Sequence, residues 1–374
     1  MTNYSAWKST SKIGYTQTTK LRIFEHLHVA TQFNSMTNRA ALVADIGGTH
    51  ARLAIATWGN SETSVPAISL AHVEKFACRD FVTLEALLQH YQSQHASGQH
   101  LDLVLAVAAP IIDGDVAAQA NMPWPVRIQQ LRQTFPQQSI SLLNDFVALA
   151  HAVPTLQASD LQLLCGAPHT NYTGPALVMG PGTGLGAAFW LPGRAGQASQ
   201  VLASEAGHIS LAASNELEAA IVHELRKQWS YVDVERVLSG PGLLNIYRAL
   251  CAIEGASPTL STPAGVSEAA MTASDAMAEK SLSVFCGWLG SIVADLCISS
   301  SAQRVILAGG IPSLIWPFLQ RSEFAARLID KGVMSAVMRQ ACVQVIDHGQ
   351  LALIGAAQFS KEHISTNQSS NFKE

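Results

Sequence analysis

The chain has 374 residues, enough for roughly two average domains with substantial cores. Apolar residues make up 48% and charged ones 13%, too apolar for a disordered chain and too often interrupted for a membrane protein. Lys and Arg total 23 against 27 acidic residues, so no basic excess speaks for a nucleic-acid partner, although backbone amides can hold an anionic ligand without lysine.

Residues 1–38 are polar and mixed, without the basic start and apolar core of a signal peptide, and Met36 stands just ahead of the first strand pattern. They read as an extension, either flexible or preceding the physiological start, and the default location is cytoplasmic. Residues 41–46 read as a short apolar strand, Gly47-Gly48-Thr49 as a turn and 51–58 as a second strand, together a hairpin. A strand at 67–76, a helix at 84–91 and a continuous apolar strand at 103–109, ended by Pro110, follow. A helix is expected at 126–135 and a strand at 139–143. Asn144-Asp145 stands where that strand stops and a helix over 146–153 begins.

The opening pattern then recurs. Residues 176–180 form a strand, Pro181-Gly182-Thr183-Gly184 a turn and 185–191 a second strand. Helical spacing marks 215–229, 242–253, 266–273 and about 281–300. The last of these is apolar enough to raise a membrane span, but Gly287, Gly290, Ser291 and Asp295 break it, and it reads as a buried core helix. Strands at 304–308 and 342–346 and a helix at 351–358 complete the pattern, with a frayed polar tail after it. Six cysteines, Cys78, Cys165, Cys251, Cys286, Cys297 and Cys342, lie far apart with no CxxC pair, as free and mostly buried thiols would. The fold class is α/β with two similar halves: a small domain over 39–155 completed by about 347–361, a large domain over 156–346, and a flexible tail over 362–374.

Three glycine turns and a few acids carry the chemistry. Asp45-Ile46-Gly47-Gly48-Thr49 offers a carboxylate, two positions without a Cβ and a hydroxyl at the mouth of a hairpin. Such a turn can converge amides on a phosphate, with Asp45 holding Mg²⁺ directly or through water, or it can be an ordinary tight turn. Gly180-Pro181-Gly182-Thr183-Gly184-Leu185-Gly186 is a second one; lacking the lysine and the following helix, it is neither a P-loop nor a dinucleotide fingerprint. Two such turns in matching halves suggest one polyphosphate held between them. Leu307-Ala308-Gly309-Gly310-Ile311 is a third strand-to-glycine junction that a flat nucleoside can approach. Asp145 sits at the cleft end of its strand, as a base or as the cap of the next helix. Glu205 and His208, three apart, can converge on one ligand or pair with each other, and Glu235 can be a ligand or a surface acid.

Taken in order, Asp45–Thr49, Asn144-Asp145, Gly180–Gly186, Glu205-Ala206-Gly207-His208, Glu235-Arg236-Val237-Leu238-Ser239-Gly240-Pro241-Gly242 and Leu307–Ile311 resemble the bacterial glucokinases of the non-repressor type. That family lies in the sugar kinase, actin and Hsp70 ATPase superfamily, and the resemblance runs from about residue 40 to 360. It implies two lobes of ribonuclease H-like type flanking a cleft, and transfer from ATP, with Mg²⁺, to the 6-hydroxyl of D-glucose. Asp145 matches the catalytic base. Asn144, Glu205, His208 and Glu235 match sugar-hydroxyl ligands, with Asn121 close by. Asp45, Ile46, Gly47, Gly48 and Thr49 match one phosphate loop, Gly180, Gly182, Thr183 and Gly184 the other, and Gly309 and Gly310 the adenosine contact. It further implies a homodimer, while the charge balance and the interrupted apolar runs lead us to expect neither nucleic-acid nor membrane partners. This chain departs from the family pattern at Ser204 and Ala206, where many relatives have glycine, and at Ser210, where an acid is usual. A kinase for another hexose or an amino sugar keeps the same fold, and a silent sugar and nucleotide sensor would have no need of Asp145.

Overall fold

The computed structural model describes residues 39–59, 68–112, 115–116, 122, 124–168, 172–194, 197–346 and 349–370. The expected extension over 1–38 therefore lies outside the described residues, as do Asn121 and the tail from 371. The first sheet is built from β1 (Arg39–Ile46), β2 (His50–Trp58), β3 (Ser69–Ala77) and, after helix α1 (Leu84–His95), β4 (Asp102–Val107). A two-stranded ribbon, β5 (Ile111–Ile112) and β6 (Asp115–Val116), precedes α2 (Ile128–Thr134), β7 (Ile140–Asn144) and α3 (Asp145–His151).

The second sheet takes β8 (Gln162–Cys165), β9 (Ala176–Pro181), β10 (Leu185–Leu191) and β11 (Gln200–Ser204). Helices α4 (Glu216–Leu225), α5 (Gly240–Ile253), α6 (Pro263–Met271) and α7 (Ala276–Ser300) follow, then β12 (Arg304–Leu307). Four short helices, α8 (Gly310–Leu314), α9 (Trp316–Leu319), α10 (Phe324–Ile329) and α11 (Ser335–Met338), lead to β13 (Cys342–Val345) and α12 (Leu351–Ser370).

The two sheets repeat one topology. In the order β3-β2-β1-β4-β7 the first two pairings are antiparallel and the last two parallel, and β11-β10-β9-β12-β13 has the same sequence of senses, with β8 added antiparallel at the edge. Strands buried on both faces explain the near-continuous apolar runs. In β1, Leu42, Ala44 and Ile46 face a core shared with Leu84, Leu87, Leu88 and Tyr91 of α1. The alternate Ala41 and Val43 face Leu353, Ala356 and Ala357 of α12. Those alanines let α12 lie close on the sheet, while α3 packs against β9, β10 and β11.

α12 and α3 cross where Gly355 meets Ala148: a Cβ at 355 would land on the Ala148 carbonyl oxygen. His151 Nδ1 and Glu362 Oε2, 3.1 Å apart and nearly buried, close the same crossing, with Ser199 Oγ donating to Glu362 Oε1 at 3.0 Å. That corrects the expected tail, because Glu362 is held by His151, Ser199 and Gln358 and the helix continues to Ser370. The apolar helix α7 is long enough to cross a membrane, but it is sheathed by α5, α6 and α10, and Trp288 is fully buried with its Nε1 donating to the Ala212 carbonyl at 3.0 Å. All six cysteines are free and five are buried; burial pushes the Cys286 and Cys297 thiols up to about 12.

Candidate active site

Repeating the topology places the carboxyl ends of both sets of parallel strands on one cleft of about 650 Å³, the position where open α/β sheets bind ligands. From the first sheet come Asp45 near the end of β1, Ala108 to Pro110 after β4, Asn144 at the end of β7 and Asp145 just after it. The second sheet contributes Gly180, Gly182, Thr183 and Gly184 from the β9–β10 turn, and Gly309 and Gly310 after β12. Glu205, His208 and Glu235 line the same space, so nearly every sequence-derived candidate is brought together.

Two are not. Ile46 is buried in the first core, and the Gly47 amide is spent on the turn, donating to the His50 carbonyl at 3.0 Å. From that loop only Asp45, Gly48 and Thr49 reach the cleft, because strand alternation turns Ile46 inward. Asn121 lies outside the described residues. Sequence reasoning also passed over Phe146, which seats α3 on the second sheet: its ring fills the space a side chain at Gly186 would take.

The question of which residue caps α3 is resolved by distance. Asn144 Oδ1 accepts from the Phe146 and Val147 amides at 2.9 and 3.4 Å, so Asn144 is the cap. Asp145, the first helical residue, accepts from the Phe146 amide at 3.0 Å and faces the cleft. Burial, then the Asp45 carboxylate and, less strongly, Glu205, push Asp145 up to about 7 against the pull of the backbone amides.

Asp45 is paired across the hairpin with Arg52, whose Nη1 lies 3.4 Å from Asp45 Oδ2. Glu235 Oε2 accepts from the Leu185 amide at 2.8 Å, which anchors the second turn, and a Cβ on Gly184 would stand 2.5 Å from that oxygen. A side chain at 184 would therefore push the Glu235 carboxylate away from the Leu185 amide. The second turn and the Gly309 junction are also in backbone contact: side chains at Gly180 and Gly309 would strike the Ala308 and Pro181 carbonyls, and Gly309 has φ of +91°.

His208 does not pair with Glu205. Its Nδ1 lies 3.2 Å from Asp233 Oδ2, a residue sequence reasoning missed. Ser210, where the family pattern has an acid, donates instead to the Tyr231 hydroxyl at 3.3 Å. Glu205 is exposed, and no hydrogen bond to its carboxylate is found among the described residues.

Four carboxylates (Asp45, Asp145, Glu205 and Glu235) thus face one cleft that no Lys or Arg side chain lines among the described residues. A polyphosphate can enter such a space only with backbone amides and a cation to neutralise it. Among the described residues no three His, Cys, Asp or Glu side chains are grouped to hold a metal alone. The donor chemistry still fits Mg²⁺, which takes one or two carboxylates and completes its shell with phosphate oxygens and water.

A family model described as glucokinase matches residues 42–363. A glucokinase-like protein of Xylella fastidiosa (strain 9a5c) is 38% identical over 320 residues, covering 85% of this chain and 93% of that protein. The glucokinase of Zymomonas mobilis subsp. mobilis is 36% identical over 315 residues, covering 84% and 95%. Among solved structures, a glucokinase from an Antarctic psychrotroph matches with a TM-score of 0.75 at 35% identity, over 86% of this chain and 98% of that one. The fold is shared more widely, as with the Balamuthia mandrillaris glucokinase at 22% identity and a TM-score of 0.67, over 87% of this chain and 94% of that one. Both lobes thus have the actin-like ATPase architecture that the glycine turns implied.

Proposed function

Because the chain belongs to the glucokinase family of sugar kinases, we propose that it transfers the γ-phosphoryl group of ATP to the 6-hydroxyl of D-glucose, giving D-glucose 6-phosphate and ADP. The observation that carries this reading is Asp145: a carboxylate relieved of capping, facing the cleft and pushed up to about 7. A general base works best with a proton affinity near the working pH.

On this reading Asp145 takes the proton of the 6-hydroxyl as that oxygen attacks the γ-phosphorus, and the bond to the departing ADP oxygen breaks in line. Glu205, His208 and Glu235 engage the other sugar hydroxyls, with Asn144, and with Asn121 beyond the described residues. The amides of Gly48, Thr183 and Gly184, with the Thr49 and Thr183 hydroxyls, cradle the phosphates, Gly182 shaping the turn with its amide on the Gly184 carbonyl at 2.7 Å, and Gly309-Gly310 leaves room for the nucleoside. Asp45 is the residue that would hold Mg²⁺, directly or through water; when bound, the ion neutralises phosphate charge. A homodimer is inferred from the family resemblance and a cytoplasmic location is the default reading of the sequence; light scattering on the purified protein checks the oligomeric state.

The deciding experiment is sugar-dependent ADP release with Mg²⁺-ATP on glucose, mannose, fructose and N-acetylglucosamine. Selective turnover of glucose supports the reading, and folded protein that binds ATP yet turns over none of the four refutes it. Two further results are expected. With Asp145 acting only when ionised, kcat/KM for glucose falls about tenfold per pH unit below about pH 7, and a flat profile down to pH 5 would count against the base. Glu205→Gln leaves the melting temperature unchanged, since the exposed carboxylate supports nothing in the fold, but weakens glucose binding about tenfold. Unaltered binding, read by calorimetry, would remove Glu205 from the sugar site.

A further inference from the structure

The segments bearing His208 and Glu235 are tied by a short antiparallel bridge. Ser210 pairs with Asp233, the Leu211 amide donates to the Val232 carbonyl at 3.1 Å, and the Val234 amide donates to the Ile209 carbonyl at 3.0 Å. Tyr231 adds a third tie, its hydroxyl donating to the His208 carbonyl at 2.7 Å. At the centre is Asp233, only 8% exposed, with its two oxygens used differently. Oδ1 accepts from the Arg236 amide at 3.0 Å and so caps the turn that carries Glu235. Oδ2 meets Nδ1 of His208, whose side chain is 52% exposed.

We infer that Asp233 is the positioning residue of the sugar site, setting the orientation and tautomer of His208 while capping the turn that presents Glu235. An imidazole half in solvent can turn over about its ring axis, and among the described residues Asp233 is the partner that distinguishes its two nitrogens. A carboxylate only accepts, so Nδ1 must carry the hydrogen it gives to Asp233. Nε2 is then left to the cleft as an acceptor, the partner a sugar hydroxyl needs when it donates. One buried carboxylate thereby fixes two sugar-facing groups at once, a His from one segment and a Glu from the other.

The inference rests on the sugar-kinase reading, and its test separates the two. Asp233→Asn keeps the cap, since Asn also accepts from the Arg236 amide, but presents an NH₂ to Nδ1 and so reverses the polarity of the His208 bond. Asp233→Ser keeps a capping hydroxyl and is too short to reach His208, which guards against one variant failing to fold. Both are expected to raise the glucose KM, and the glucose Kd by calorimetry, about tenfold, with kcat within about twofold and the ATP KM unchanged. In a His208→Ala background, Asp233→Asn should add less than about twofold, because the group it positions is gone.

A glucose Kd within about twofold of wild type in both variants, or an equal loss with and without His208, would overturn the role. If wild type binds glucose but transfers no phosphoryl group, the proposed reaction fails while the Kd ratios still decide the positioning role. If it binds no hexose, both fail.

Discussion

Asp145→Asn is expected to lower kcat on glucose about a thousandfold while leaving the sugar Kd near its wild-type value. The substitution is close to isosteric, and its Oδ1 can still accept the Phe146 amide, so helix α3 keeps its first turn under the Asn144 cap. Only the ability to take a proton is lost. A purely structural Asp145 would predict the reverse, a protein that turns over normally but melts early. Turnover within about tenfold of wild type would remove Asp145 as the base.

The same substitution carries a second, opposite signature in stability. Asp145 is pushed from its ordinary value of 3.8 up to about 7, so the folded state favours the protonated carboxyl. Its favourable contribution is present below the ordinary value and is lost as the pH rises through about 7. At pH 8 wild type therefore bears the cost of an ionised group held beside Asp45 and Glu205, and the uncharged Asn does not. Asp145→Asn should melt several degrees above wild type at pH 8, with the gap closing towards pH 4. Equal melting temperatures at both would mean that the carboxylate is not held under electrostatic stress.

Gly355→Ala is expected to be strongly damaging for a single added methyl. Helix propensity alone favours Ala by about 1 kcal/mol. Against that, the new Cβ would land on the Ala148 carbonyl oxygen, a backbone atom of α3 that cannot rotate away. Overpacking of this kind costs about 1–3 kcal/mol and more where backbone must shift. Relief comes only by levering α3 from α12, which strains the buried His151–Glu362 pair and tips the end of α3 where Asp145 sits. A lower urea midpoint together with a lower kcat at 25 °C is the expected result. A variant as stable as wild type would show that the two helices can separate freely.

Much of the site was readable because its parts are local. A glycine turn after a strand, a carboxylate at a strand end and a Glu–His spacing of three are each visible within a few residues, and the structure gathers them on one cleft. What could not be read depends on contacts between distant segments. Asp233 meets His208 across a bridge, and nothing in Tyr231-Val232-Asp233-Val234 distinguishes that acid from any surface one. The choice between Asn144 and Asp145 as the helix cap turns on backbone geometry at a single residue. Edge strands β8 and β11 do not stand out for a related reason: with a neighbour on one side only, they are short and partly exposed, and their apolar runs span just three residues each. Gly355 sits inside an ordinary helical pattern, where only the crossing helix reveals why it is glycine.

The position of α12 also sets an order of events during synthesis. Ala41, Val43, Ala54, Ala56, Val104 and Ala106 form the sheet face that Leu353, Ala356 and Ala357 cover. All six are made early, and the helix that shields them is made after the whole second sheet. A growing chain on the ribosome therefore displays a finished but roofless sheet until residues 351–363 emerge. Trp58 and Leu143 belong to the same buried cluster, so the open face includes large apolar side chains that stay exposed to other chains until the lid arrives.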